Sequence, residues 1–300
     1  MKKLAILLCS TTNQIFAVGN VLIGLKKHFS LSEEEYDVIL YVDKDMDKKD
    51  EKALKQIYKN IIINHFNKIF GNEYNNSNAI KYFTNMAHAR YEAFDLLNEY
   101  DKILYLDTDV LIQEDISEIL NMNDCDMYAS FEKSSIKSNL ENINFNTISN
   151  EQLKYDIERK VFNSGVLLFN KKIIDKNNAI KDWCYNKSEE WKSADQVVLN
   201  LMVQEFNINI GDFTNKYNRY VFDDLDDAVI VHSCAWNLKF WDGIYNKEWQ
   251  ENNKTWISLG GSKYRNIKKQ IINTIAWYIP IKKLRDKFRN YFYKKNYIRL

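Results

Sequence analysis

The sequence predicts an α/β domain built on a mainly parallel central sheet. Apolar, β-rich runs alternate along the chain with segments of helical period, the pattern of βαβ units. A single proline, Pro280, and the lack of any Gly/Ser-rich linker before residue 260 argue against a break into separate domains. Three hundred residues at 45% hydrophobic and 14% aromatic content can fill one large core.

The first run, "LAILLC" at 4–9, sits in an opening that briefly imitates a secretion signal. Its apolar stretch is too short for one and no small-residue cleavage site follows, so it reads as the first strand. Further strands are expected at 37–42, 61–66, 102–106, 127–131 and 166–170. Helices are expected at 16–29, 47–58, 84–98, 172–190 and 194–205. The stretch 132–160 is polar and weakly patterned. No apolar run approaches the roughly 20 residues of a membrane-spanning helix. Four scattered cysteines, Cys9, Cys125, Cys184 and Cys234, form no metal-site spacing and suit a reducing cytoplasm.

The net charge of +1 hides an asymmetry. From Lys263 onward there are 12 Lys or Arg and one acid, Asp286, against 30 bases and 40 acids before it. Residues 261–300 are therefore expected to form a basic, amphipathic tail apart from a 1–260 body. Cations interleaved with Ile271, Ile272, Ile275 and Trp277 can bind nucleic acid and also suit an anionic membrane surface. The alternative is a helix pair packed on the acidic body.

"KILYLDTDVLI" (102–112) places Asp107 and Asp109 at the end of a buried-looking strand, with Thr108 between them. Desolvating a carboxylate costs several kcal/mol unless a cation meets it. Other acid pairs one residue apart, such as Asp43 and Asp45 or Asp224 and Asp226, read as solvated turns. Ligands of open α/β sheets bind beyond the carboxyl ends of the strands, which is where 107 and 109 fall. Carboxylate oxygens suit Mg²⁺ or Mn²⁺. Two reactions use such a pair: phosphoryl hydrolysis by a D-x-D-x-[TV] phosphatase of the haloacid dehalogenase type, and metal-assisted transfer from a nucleotide-sugar. Loop bracing is the bland alternative.

Five ordered stretches favour the second. They are "STTNQIFAVGNVLIGL" (10–25), "HARYEAFDLLNEYDKILYLDTD" (88–109), "FNSGVLLFN" (162–170), "SADQVVLNL" (193–201) and "VIVHSCAWNLKFW" (229–241). Together they resemble glycosyltransferase family 8, which includes glycogenin and bacterial galactosyl- and glucosyltransferases. The resemblance implies a GT-A-type, single Rossmann-like domain and a retaining, metal-dependent hexosyltransferase using a UDP-sugar, with a glycan or lipid-linked saccharide as acceptor. It implies that Thr12 and Asn13 contact the nucleotide and Phe16 flanks the base, where the alternative is a helix cap by Thr12 or Asn13. Arg90 would touch the donor, the alternative being a surface salt bridge. Asn163 and Ser164 would meet sugar hydroxyls, and Asp195 and Gln196 the reaction centre, where Ser193 or Asp195 could instead cap a helix. Asp107, Asp109 and His232 would ligate the metal, with Lys239 on the diphosphate. The last stretch departs from the family, which has a glycine after the histidine, a proline between lysine and tryptophan, and one fewer residue between histidine and lysine. Phosphatase activity and a sugar-nucleotide-binding pseudoenzyme stay open as alternatives. A lipid-linked acceptor would make the membrane surface more coherent than nucleic acid as the partner of the tail, so a cytoplasmic protein peripheral to the inner membrane face is expected.

Overall fold

The computed structural model describes residues 2–75, 84–142, 154–176, 178–214, 216–234, 238–265 and 267–297. In chain order the elements used below are β1 (Leu4–Ser10), α1 (Ile15–His28), β2 (Tyr36–Val42), α2 (Lys48–Ile57), β3 (Ile62–His65), β4 (Lys102–Leu106), β5 (Val110–Ile112), β6 (Met127–Ala129), β7 (Phe131–Ser135), β8 (Lys160–Phe162), β9 (Val166–Asn170), α3 (Ile180–Trp191), α4 (Asp195–Glu205), β10 (Ile210–Asp212), β11 (Arg219–Tyr220), β12 (Ile230–His232), α5 (Lys247–Ser258), α6 (Ile267–Trp277) and α7 (Lys282–Tyr297).

Seven strands form the main sheet in the order β10-β6-β9-β4-β1-β2-β3. Its neighbours run parallel except β9, which is antiparallel to both β4 and β6. The expected mainly parallel α/β sheet is what forms. The central strands read as unbroken apolar runs because helices cover both faces. On β1, Leu4, Ile6 and Leu8 join one core layer, while Ala5, Leu7 and Cys9 join the other. On β4, Leu104 and Leu106 divide from Ile103 and Tyr105 in the same way. That split is the two-residue period of a strand.

Two helices of the first layer cross closely. A Cβ on Gly19 of α1 would lie 2.2 Å from the Trp256 ring of α5, so only glycine admits the fully buried indole. Helix α5 is absent from the helices expected from sequence. Its stretch is mostly polar and buries only Trp249, Asn252 and Trp256.

Three expectations are redrawn by packing. The 84–98 stretch is a 3-10 segment, Asn85–Glu92, passing into one helical turn at Ala93–Leu96. His88, Ala89, Arg90 and Tyr91 are all buried there, so no single amphipathic face exists for a long helix to present. The expected 172–190 helix begins only at Ile180, after a short turn at Lys171–Ile173; Asp175 and Asn178 prefer turns to helix interiors. The 127–131 strand splits, with β6 in the main sheet and β7 paired to β8 in a separate ribbon. Ser130 marks the switch, its carbonyl accepting from Asn163 N–H at 2.9 Å.

A small three-stranded sheet, β11-β12-β5, closes one side of the molecule. β12 runs antiparallel to β5 with His232 opposite Val110. This register brings the end of β12 next to Asp109. Helices α6 and α7 follow the body and pack on each other, leaving Ile271, Ile275, Trp277, Tyr278, Ile281, Leu284 and Tyr291 exposed. Among the described residues no helix is long and apolar enough to cross a membrane.

Candidate active site

Asp107 follows β4, held there by its N–H donating to the Gly165 carbonyl at 2.7 Å. Two residues earlier on the same face of the strand, Tyr105 donates its hydroxyl to Asp107 Oδ1 at 2.5 Å. Arg90 donates to that oxygen from Nη2 at 3.1 Å, and its Nη1 lies 2.9 Å from Asp195 Oδ2. The guanidinium is buried, lies 4.4 Å from the centre of the Tyr105 ring, and also donates to the carbonyls of Ser164 and Ala87 at 2.5 and 2.8 Å. Arg90 is thus a buried link between two carboxylates, not the surface salt bridge considered from sequence. Burial opposes its charge, but Asp195, Tyr105 and Asp107 hold the proton above the ordinary arginine value.

Asp109 is served differently. Its Oδ1 lies 3.1 Å from His232 Nε2, and its Oδ2 accepts from the Lys239 ammonium, which also donates to the Ser233 carbonyl at 2.8 Å. Ser233 N–H and hydroxyl both donate to the Asp109 carbonyl at 3.0 Å, locking the end of β12 to the loop after β4. The electrostatic consequences diverge. Burial raises the Asp107 carboxyl above the ordinary value, with Arg90 only partly opposing it and Asp109 adding to it. For Asp109 burial also opposes charge, but His232 and Lys239 together outweigh it and hold the carboxyl well below the usual range.

Oxygens of Asp107 and Asp109 and a ring nitrogen of His232 lie within 4.8 Å of one another. His232 Nε2 is 3.9 Å from Asp107 Oδ2. Two carboxylates and an imidazole converging this closely fit Mn²⁺ or Mg²⁺. Charge points the same way, since among the described residues Asp107, Asp109 and Asp195 pair with Arg90 and Lys239 as their full cations.

Around this centre Ser164 donates its hydroxyl to Asp195 Oδ2 at 2.7 Å. Gln196 Oε1 accepts from Ser164 N–H and Asn163 Nδ2, each at 3.2 Å. Helix α4 starts at Asp195, yet neither Ser193 nor Asp195 caps it. Its cap residue is Ala194, without a side-chain bond, because the Asp195 carboxylate is taken by Arg90 and Ser164. Thr108 is buried beside the acids.

The remaining sequence candidates are Thr12, Asn13 and Phe16. Thr12 N–H donates to Asp43 Oδ1 at 2.7 Å, and Asn13 is exposed. Neither side chain caps α1 or the short turn before it. Phe16 is buried, its ring 5.3 Å from Trp241 and 5.2 Å from Tyr264. The "AWN" segment at 235–237 lies outside the described residues.

Glu132, Tyr220 and Asn218 escaped the sequence reading of the site. Glu132 accepts from Tyr220 Oη at 2.6 Å and Asn163 Nδ2 at 3.1 Å, and Asn218 bridges Asn163 and His232. No local pattern marks them, since β7, β8, β11 and β12 assemble them from distant parts of the chain. Tyr105 did carry a signal, being two residues before Asp107 on a strand.

The chain matches the family model described as Glycosyl transferase family 8 over residues 5–245. It is 23% identical over 176 residues to glycosyltransferase GlyE of Streptococcus pneumoniae serotype 4, a match covering 57% of this chain and 37% of GlyE. The chain therefore spans 37% of that curated relative's length. Among solved structures, galactosyltransferase LgtC, determined with donor and acceptor sugar analogues, is similar with a TM-score of 0.61 at 16% identity, over 86% of this chain and 97% of LgtC. The apo WbbM bifunctional glycosyltransferase gives a TM-score of 0.61 at 15% identity, over 84% of this chain and 50% of WbbM. The fold is that of the GT-A glycosyltransferases.

Proposed function

Because the chain belongs to glycosyltransferase family 8, we propose that it is a metal-dependent, retaining hexosyltransferase. It takes the sugar from a UDP-sugar and passes it to a glycan or lipid-linked saccharide. The observation that carries this reading is the convergence of Asp107, Asp109 and His232 beside Arg90 and Lys239. In this reading those three residues hold Mn²⁺ or Mg²⁺, which when bound offsets the charge that grows on the departing diphosphate. Lys239 supplies a further positive group toward the diphosphate. Arg90 keeps Asp107 and Asp195 in place and lends its charge to the donor side through them. Asn163, Ser164, Asp195 and Gln196 form an interlocked polar wall that orients the transferred sugar through its hydroxyls, and Thr12, Asn13 and Phe16 belong to the uridine end. Retention of anomeric configuration rests on family membership, and no side chain is assigned as nucleophile.

The phosphatase alternative rests on "DTDVL" (107–111) alone, which only nearly satisfies D-x-D-x-[TV] since Leu111 holds the last place, and it leaves the Asn163–Gln196 wall without a purpose. A panel of UDP-sugars with Mn²⁺ tests the proposal. Wild type should show a thermal shift and release UDP, and Asp109→Ala should abolish the release. Binding without any turnover would make the protein a pseudoenzyme; indifference to every UDP-sugar would defeat the reading.

The tail from 261 onward completes the proposal as a separate functional piece. Its exposed Ile271, Ile275, Trp277, Tyr278, Ile281, Leu284 and Tyr291, set among 12 Lys or Arg, suit peripheral attachment to the anionic cytoplasmic face of a membrane. Tyr264 packs on Phe16, so a truncation that spares the body begins after Arg265. Deleting 266–300 should abolish sedimentation with phosphatidylglycerol vesicles and leave UDP-sugar hydrolysis intact. Undiminished vesicle binding would refute the attachment.

A further inference from the structure

His232 ends a line of hydrogen bonds that can be read in only one direction. The Gly165 backbone N–H, which can only donate, lies 2.9 Å from one terminal atom of the Asn163 side chain, making that atom the oxygen. The other terminal atom of Asn163 faces Glu132 Oε1 at 3.1 Å and Gln196 Oε1 at 3.2 Å. Gln196 is itself oriented, because the same oxygen accepts from the Ser164 N–H. Asn163 is therefore pinned at both ends, by a backbone donor on one side and by acceptors on the other.

The next links follow without freedom. Asn163 Oδ1 accepts from Asn218 Nδ2 at 2.9 Å, which turns Asn218 Oδ1 toward His232 Nδ1 at 2.8 Å. An amide oxygen only accepts, so Nδ1 carries the proton. Nε2 faces Asp109 Oδ1 from 3.1 Å: while protonated it donates to that oxygen, and once that proton leaves it offers its lone pair in the same direction. Either way a positive centre belongs between them, a proton in the metal-free site or a divalent cation that takes its place. The ring cannot turn away, for it is buried and seated against Gly165, where a Cβ would come within 2.2 Å of His232 Cε1.

We infer that Asn218, aligned by Asn163, is a positioning residue that fixes the Nδ1–H tautomer of His232 and so presents Nε2 to a divalent cation shared with Asp107 and Asp109. The inference rests on the metal reading above, and it assigns to two buried asparagines a role in ligand preparation that packing alone would not require. Groups that hold a ligating histidine in this way typically change metal affinity by about 10- to 100-fold when removed.

Two measurements on the full chain test it. In metal-free protein, ¹⁵N-histidine spectra followed to alkaline pH until the ring is neutral should show His232 protonated at Nδ1, the signal being assigned by its loss in His232→Gln. Mn²⁺ alone, titrated and followed by electron paramagnetic resonance, should bind Asn218→Leu about 10- to 100-fold more weakly than wild type. Asn218→Asp still accepts from Nδ1–H but turns an oxygen toward Asn163 Oδ1. It should melt lower than wild type yet keep Mn²⁺ affinity within a few-fold, a separation that a purely structural role does not produce. A neutral wild-type ring protonated at Nε2 alone, or wild-type affinity in Asn218→Leu, overturns the inference. Wild type that fails to bind Mn²⁺ overturns the metal reading, and the nitrogen spectra still decide the tautomer.

Discussion

Asp107 and Asp109 are two residues apart, yet they are held by opposite means. Asp107 meets a buried guanidinium that is committed on every side, to Asp195, to two carbonyls and to the Tyr105 ring. Asp109 meets Lys239, a single ammonium on a flexible stem whose side chain is 25% exposed, and an imidazole. One carboxyl is raised and the other depressed. The difference separates a fixed half of the site, which must not move when ligand arrives, from an exchangeable half, where a cation already in place can yield to another.

The sharpest way to break that comparison is to remove each cation in turn. Arg90→Leu strands Asp107 and Asp195 without a counter-charge in a buried setting, which costs about 3–5 kcal/mol. Lys239→Met removes an ammonium that is itself partly exposed from a carboxylate that still has His232, and costs about 1 kcal/mol or less. Denaturant midpoints of the two variants in metal-free buffer measure the gap. Should Arg90→Leu prove too unstable to isolate, Arg90→Lys retains one charge and should fall between them. Equal midpoints for Arg90→Leu and Lys239→Met would erase the distinction between the halves.

The same division explains what was legible in the sequence. The central strands β1, β4 and β9 announce themselves because burial on both faces leaves an unbroken apolar run, and Asp107 and Asp109 stand out against that background. Helix α5 does not, since it presents only Trp249, Asn252 and Trp256 to the core and is otherwise polar. The capping roles considered for Ser193 and Asp195 looked natural from local chemistry, but the tertiary fold diverts Asp195 to Arg90 and Ser164. The fixed half depends on such meetings between distant segments. Asn218 and Glu132 likewise acquire a role only when β12 pairs with β5 and β7 with β8, and nothing in their own surroundings along the chain signals it.

A finer and smaller effect lies in the pH dependence of stability. Asp109 has a depressed carboxyl in the folded state, so its contribution is present above the unfolded value of about 4 and is lost as pH falls through the folded value. Asp107 works with the reverse sign. Its carboxyl is raised, so as pH climbs past about 4 the unfolded chain ionises first and folding is penalised until the folded group ionises too. Asp109→Asn should therefore be less stable than wild type at pH 7, by about 1.5–3 kcal/mol for hydrogen bonds to a charged group, with the gap closing only below about pH 4. Asp107→Asn keeps acceptor contact with Arg90 and removes the penalised charge. It should match or exceed wild type at pH 7, and that advantage should shrink as the pH is lowered toward 4. Melting temperatures of the three proteins between roughly pH 4 and 7, in metal-free buffer, give the two slopes directly. Parallel curves for the two variants would mean that both carboxylates share one environment, and the site would have no fixed and exchangeable halves to distinguish.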